Sequence, residues 1–456
     1  MRASLIIAAR DEGDRLWRTA ASCLRTAAGL DCELIVADDA STDGSVAEVR
    51  RRFPTARHVG HRRPLGVGPA RAAGARAARG EVLVFLDGHC HPEPGAVERL
   101  VADVEGLGGT AVVTPRLAVL DAAGWENSLL EQVGYGFLPD LETHERFWVD
   151  PGRMRAAGDV SGRRLFECPA PAGCCLAVHR RLYDRLLGFD RGMRGWGSED
   201  LDFGLKAWLT GHPVLIDPSA VVGHWFRGGS GADRAQDERV VANQLRLARK
   251  HYGDAAWHDW LRRCRCRHPG LSWSEVWRRF ERHRAGLERE RASLMARRML
   301  DEFWYAERFG LWWPLWLAGR EPDPHWGEHQ PDGPDELFEA HSRHPRNRGL
   351  WADPCLVGTA RYGGGSALTV ALSLTRRRSG ELCVGRAGFE WEGEAEPAAL
   401  ACTSWLTTRV EGEPLAHARS IGPAEVGAAL GLEGTGAAGG AAEAAVAALR
   451  AALGRL

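Results

Sequence analysis

Three short apolar runs near the N-terminus, residues 4–9, 33–37 and 81–86, are too short for buried helices and end in polar residues or glycine. Runs of this length without polar alternation predict strands covered on both faces. Between them, residues 14–28 and 67–79 are rich in Ala, Arg and Leu and predict helices. That alternation specifies an α/β fold, a mostly parallel sheet with helices on both faces. Ligands of such sheets bind beyond the carboxyl ends of the strands. Each run ends in candidate chemistry: Arg10 and Asp11 after the first, Asp38 and Asp39 after the second, and Asp87, Gly88 and His89 after the third.

From about residue 233 the pattern changes. Residues 234–251 and 273–298 are long charged segments with apolar positions at helical spacing, read as two helices whose arginines are solvated. Pro and Gly punctuate 321–345, a linker or irregular loop. Short alternating runs over 356–410, such as 367–375, predict a small β-rich module, and the Ala/Gly-rich tail from 422 holds one helix, 441–453. The expected division is 1–232 catalytic, 233–320 helical, 321–355 linker and 356–456 β-rich with a helical tail.

A length of 456 residues exceeds one ordinary domain, and 44% hydrophobic content supplies ample core. The formal net charge of -1 gives no long-range attraction to nucleic acid or an anionic membrane, so a local site must choose the partners. The N-terminus shows no basic region with an apolar segment and cleavage site. The most apolar later stretch, 309–318, is too short to span a bilayer. Eleven cysteines without a regular framework fit a reducing compartment, so a cytoplasmic protein with no membrane span is expected. Cys264, Cys266 and His268 lack a second cysteine pair and are not read as a zinc site.

The chemistry concentrates in Asp87-Gly88-His89, with His224 far downstream. A carboxylate and an imidazole at a strand end, joined by a distant imidazole, suit a divalent ion of borderline hardness, manganese before magnesium. Such an ion neutralises a diphosphate.

Ile6-Ile-Ala-Ala-Arg-Asp-Glu12, the run from Ile35 to Gly44 and Gly80-Glu-Val-Leu-Val-Phe-Leu-Asp87 resemble the nucleotide-binding half of glycosyltransferase family 2 enzymes of the GT-A fold. The run from Ala172 to Arg181, Gly188-Phe-Asp190, Trp196-Gly-Ser-Glu-Asp200 and Val222-Gly-His-Trp-Phe-Arg227 is similar to the catalytic domain of polypeptide N-acetylgalactosaminyltransferases. The resemblance covers roughly residues 3–230 and implies a UDP-sugar donor, an N-acetylhexosamine or hexose. It assigns Asp38 and Asp39 to the uracil or ribose, Arg71 to the nucleotide, and Asp87, His89 and His224 to the metal. Arg227 is implied at the diphosphate and Trp196 as a lid or sugar platform.

Glu199-Asp200 bears on mechanism. Those enzymes carry asparagine at the position of Asp200 and retain anomeric configuration, whereas inverting family 2 enzymes use the aspartate of a Glu-Asp pair as general base. A carboxylate here therefore favours inversion. Both acids also open a predicted helix, 201–209, where they complement its dipole. The acceptor is left open among peptide, glycan and small molecule. The alternatives are a retaining polypeptide O-glycosyltransferase and an inactive nucleotide-sugar or carbohydrate binding protein. The glycine-rich segment 228–232 is shorter than the matching loop of the resembled enzymes, and their lectin signatures are absent.

Overall fold

The computed structural model describes residues 1–128, 134–137, 145–148, 155–226, 234–267, 270–309, 338, 341–342, 350, 354–362, 366–376, 381–393, 395–432 and 436–454. The chain divides into two compact units, Met1–Arg262 with Gly270–Glu328, and Arg263–Pro269 with His329–Leu456. Among the described residues, no helix is long and apolar enough to cross a membrane.

The first unit opens as its apolar runs predict: β1 (Ala3–Ala9), α1 (Asp14–Thr26), β2 (Cys32–Asp38), α2 (Ser45–Arg52), β3 (Arg57–Gly60), α3 (Val67–Ala77) and β4 (Val82–Asp87). It continues with β5 (Cys90–Pro92), α4 (Ala96–Gly106), β6 (Val112–Asp121), β7 (Glu126–Ser128), β8 (Gly134–Phe137), β9 (Glu145–Trp148), β10 (Ala156–Val160), β11 (Arg163–Glu167) and β12 (Cys175–His179). Next come α5 (Arg180–Arg185), α6 (Glu199–Leu209), β13 (Val214–His224), α7 (Arg234–His251), α8 (Asp254–Arg267), α9 (Trp273–Glu281), α10 (Arg284–Met295) and α11 (Glu302–Arg308).

One mixed sheet runs β10-β11-β13-β6-β12-β4-β1-β2-β3, with β5 added to β13 and β7 to β6. Strands β4, β1, β2 and β3 are mutually parallel. Their register places Ala9 opposite Asp38 and Ala8 opposite Asp87, so the polar ends of β2 and β4 reach the same edge. The strands are buried because both faces are covered: Leu5, Ile7, Val84 and Leu86 pack with Leu16, Leu100 and Val101 from α1 and α4 on one face, and Ile6 lies against Gly74 of α3 on the other.

The structure corrects two readings of the charged helices. Residues 273–298 form two helices, α9 and α10, divided at Arg282-His283. The charges at the end of α7 are not solvated: Arg246, Lys250 and His251 are buried. Asp190 accepts from Arg246 (2.9 Å) and Lys250 (2.8 Å), while Asp202 on α6 meets Lys206 (2.9 Å), Lys250 (2.8 Å) and His251 (2.9 Å). Glu290 of α10 closes the network on Lys206 at 2.6 Å. Burial raises the Asp202 carboxyl, but the two ammonium groups outweigh it and hold the group well below its usual range.

The second unit is a three-stranded antiparallel sheet, β14 (Leu356–Tyr362), β15 (Ser366–Arg376) and β16 (Leu382–Glu392), followed by α12 (Pro397–Val410), α13 (Leu415–Ser420), α14 (Pro423–Ala429) and α15 (Gly436–Leu453). Val370, Leu372 and Phe389 pack with Leu406, Val446 and Leu449 in its core. The end of the segment expected to be β-rich, 397–410, is helical. Pro397 opens the helix, where its missing N–H costs nothing. Thr403 and Thr407 donate their hydroxyls back to the carbonyls of Ala399 and Thr403, satisfying polar groups on a buried face. Most of 321–355 lies outside the described residues, as does 310–318.

Candidate active site

Asp87, His89 and His224 come together as a candidate metal triad because a three-residue strand returns the chain to β13. Antiparallel pairing sets Gly223 opposite His91 and His224 opposite Cys90, and Trp225 N–H donates to the His89 carbonyl at 3.2 Å. His89 and His224 then face each other with Nε2 atoms 3.1 Å apart, and His224 Nε2 lies 3.8 Å from Asp87 Oδ2. One ligand atom from each of Asp87, His89 and His224 lies within 4.8 Å of the others. Glu12, buried beneath, contacts His89 Nδ1 at 3.0 Å. A proton held there leaves Nε2 as a bare lone pair, the form a metal needs. Gly88 makes room for this support, since a Cβ at that position would stand 2.7 Å from Glu12 Cγ. His224 Nδ1 is buried without a partner. The donor set, one carboxylate oxygen and two imidazole nitrogens, fits a divalent ion of borderline hardness.

Arg71, from α3, lies beneath the triad and is almost wholly buried. Its guanidinium donates to Asp87 Oδ1 at 2.6 Å and to Glu199 Oε1 at 3.0 Å. Burial alone would raise the Asp87 carboxyl, but Arg71 overrides it and the group is lowered, so Asp87 is ionised and ready for a cation. Arg71 therefore does not approach a nucleotide freely; it ties the metal-side carboxylate to the acid pair of α6.

Asp200 sits beside Glu199 with Oδ2 accepting from Gly173 N–H (3.2 Å) and Oδ1 from Leu201 N–H (2.9 Å). Burial, then the charge of Glu199, pushes its carboxyl up to about 8. A group with that value exchanges its proton near neutrality.

On the other side of β1, Asp38 Oδ1 caps the turn by accepting from Ser41 N–H at 2.8 Å. Asp39 is buried and binds the loop before α3: Oδ1 accepts from Leu65 N–H (2.8 Å) and meets His61 Nδ1 (3.0 Å), while Oδ2 accepts from Gly66 N–H (2.8 Å). Oδ2, with a single donor, retains acceptor capacity. Gly66 in turn bridges Gly195, and a Cβ on Gly66 would lie 2.3 Å from Gly195 N. This contact brings the 190–198 loop over the start of α3. Asn243 of α7 holds the loop's backbone, accepting from Arg194 N–H (3.0 Å) and donating to the carbonyls of Arg194 (3.0 Å) and Gly197 (3.0 Å). Trp196, at the tip, is 55% exposed.

A cleft of about 1450 Å³ joins these parts, lined among others by Asp11, Asp39, Arg71, Asp87, His89, Trp196, Asp200 and His224. Arg10 and Asp11 stand at its rim, with Asp11 Oδ1 accepting from Thr42 N–H at 2.7 Å. Arg227 and 228–232 lie outside the described residues. Cys264 is buried, while the Cys266 and His268 side chains lie outside the described residues. Sequence reading gave no role to Glu12, Asp190 or Asn243. Glu12 and Asp190 sit within the quoted motifs; Asn243 carries no local signal.

Comparison with known proteins agrees with this geometry. The family model described as Glycosyl transferase family 2 matches residues 4–164. Residues 4–164 are thus similar to family 2 glycosyltransferase domains. Polypeptide N-acetylgalactosaminyltransferase 12 of Mus musculus is 33% identical over 260 residues, 54% of this chain and 43% of that protein. Polypeptide N-acetylgalactosaminyltransferase 15 of Homo sapiens is 30% identical over 258 residues, 55% of this chain and 40% of that protein. This chain thus spans less than half the length of these curated relatives. The crystal structure of GalNAc-T7 with UDP, GalNAc and Mn2+ is similar in fold, with a TM-score of 0.57 at 18% identity, covering 89% of this chain and 73% of that one.

Proposed function

We propose that this chain is a metal-dependent glycosyltransferase that moves an N-acetylhexosamine or hexose from a UDP-sugar to a peptide acceptor, with inversion and with Asp200 as general base. The observation that carries the reading is the convergence of Asp87, His89 and His224 at the carboxyl edge of the sheet, inside the cleft. The relatives named polypeptide N-acetylgalactosaminyltransferases support the peptide acceptor, and the solved neighbour with UDP and Mn2+ supports donor and metal.

A manganese or magnesium ion held by Asp87, His89 and His224 would stabilise the charge that grows on the departing diphosphate. The chain's own residues prepare that site. Arg71 keeps Asp87 ionised, and Glu12 sets the tautomer of His89. Asp39, fixed by the 61–66 loop, has an acceptor left for the nucleoside. Asp200 takes the proton of the acceptor hydroxyl as the new glycosidic bond forms and the bond to UDP breaks. The asparagine expected there in the retaining relatives could not take that proton, which supports inversion.

A donor panel tests the reading: UDP release from several UDP-sugars, with manganese and with chelator. Metal-dependent release from one donor supports it. Absence of release from every donor under every metal overturns it.

A further inference from the structure

The cleft is electrically divided. Its carboxylates, Glu12, Asp39, Asp87, Glu199 and Asp200 among them, stand at the strand ends and α6. The wall formed by α7, the α9–α10 junction and the 61–66 and 190–198 loops carries arginines and His283. Of its six arginines, Arg246 is neutralised by Asp190, Arg279 by Glu275 (2.8 Å), and Arg239 has an interaction of its own. The other three are not neutralised. Among the described residues no carboxylate pairs with Arg63, Arg194 or Arg282. Arg194 has only His283 Nε2 beside its guanidinium, at 3.3 Å. Partial burial and then the neighbouring charges of Arg63, Arg246 and Arg282 hold Arg194 below its ordinary range. The fold therefore gathers like charge without supplying its counterion, at a cost that a bound anion would relieve.

We propose that Arg63, Arg194 and Arg282 form an anion subsite for the acceptor, and that the peptide accepted is acidic, with anionic groups flanking the modified residue. The inference rests on the glycosyltransferase reading and adds the charge of its substrate. The donor diphosphate has its own counter-charge at the metal triad, and the buried Arg71 is spent on Asp87 and Glu199. The three unpaired arginines run from half-buried Arg194 to exposed Arg63 and Arg282, a track suited to an extended chain entering at the mouth. Trp196, two residues beyond Arg194, adds an exposed aromatic face beside that track. Guanidinium groups bind carboxylate and phosphate alike, so the anion can come from Asp and Glu or from a phosphorylated residue.

Fluorescence anisotropy on the full chain, with UDP and manganese, tests this. Labelled Thr-containing peptides with Glu, phosphoserine or Gln at the same flanking positions are compared at about 50 and about 300 mM salt. The anionic peptides are expected to bind about tenfold or more tighter than the Gln peptide at low salt, and to lose most of that advantage at high salt. Preference for Glu or for phosphoserine identifies the source of the anion. The Arg194→Gln, Arg282→Gln double variant should lose the preference, and Arg282→Glu should shift it toward a Lys-flanked peptide, which mere structural damage would not do. Equal binding of the Gln and anionic peptides overturns the proposal. So does a loss of UDP affinity as large as the loss of peptide affinity, which would assign the arginines to the donor. Because peptide binding is read directly, it stands apart from the donor panel that decides the glycosyltransferase reading.

Discussion

Replacing Asp200 by Asn keeps the size of the side chain but removes its ability to take a proton. The carboxylate accepts from two backbone amides, Gly173 and Leu201; the amide can accept only one of them and must turn its NH2 toward the other. That mismatch costs about 1–2 kcal/mol, and relief of the repulsion from Glu199 offsets part of it. The fold should survive. Transfer should fall about a hundredfold or more, which is about 2.7 kcal/mol of transition-state stabilisation. The pH profile gives a second signature. A base works only when ionised, and with its carboxyl pushed up to about 8, Asp200 is about one-tenth ionised at pH 7. Wild-type transfer should therefore rise with pH along a limb at 8 or lower, since a divalent ion at Asp87 draws the limb down. The Asn variant should lack it. Stability follows the same group: its folded value lies above 3.8, so the folded state holds the proton longer and stability falls as pH rises from about 4 to about 8. The assay is product formation against pH, with the product anomer read by NMR. An Asn variant within about threefold of wild type with the same profile, or a retained product, refutes the base.

Three further predictions follow from the packing. Asp202→Ala leaves Lys206, Lys250 and His251 buried around a missing partner, and urea unfolding should show a loss of about 3–5 kcal/mol. Gly223→Ala puts a Cβ 1.7 Å from Asn127 Oδ1, so the Asn127 side chain must turn away and give up its bonds to the His91 carbonyl (3.1 Å) and Glu93 (2.5 Å) that hold β5 beside β13; metal-dependent UDP binding should weaken about tenfold or more while circular dichroism stays native. Arg71→Met strips Asp87 of the cation that keeps it ionised, so calorimetric manganese affinity should fall more at pH 6 than at pH 8; an equal fall at both would remove Arg71 from that role.

The parts of the site legible in the sequence are local. Asp38, Asp39, Asp87 and His89 follow apolar runs, and a buried strand announces itself by its length and composition. The register that aligns β2 and β4 on β1 then carries those residues to one edge. What the sequence hid depends on partners distant along the chain. Arg71 looks like any helix arginine until Glu199, 128 residues away, is found against it. Lys250 and Arg246 have the spacing of a solvated face, and only Asp190 and Asp202 turn that face inward. The short return of β5 onto β13 is three residues long, below what periodicity resolves, yet it is what brings His224 to His89. In the second unit, alternation over 397–410 reflected a Thr- and Ala-rich buried helix whose hydroxyls bond within the helix.

The central claim is that Asp87, His89 and His224 form a metal site that receives a nucleotide diphosphate. Titration of UDP into the full chain by calorimetry, with manganese and with chelator, in wild type and in His224→Ala, tests it most directly. The account predicts that manganese strengthens UDP binding at least about tenfold in wild type and that most of this gain disappears in the variant. Equal UDP affinity with and without the metal would contradict it.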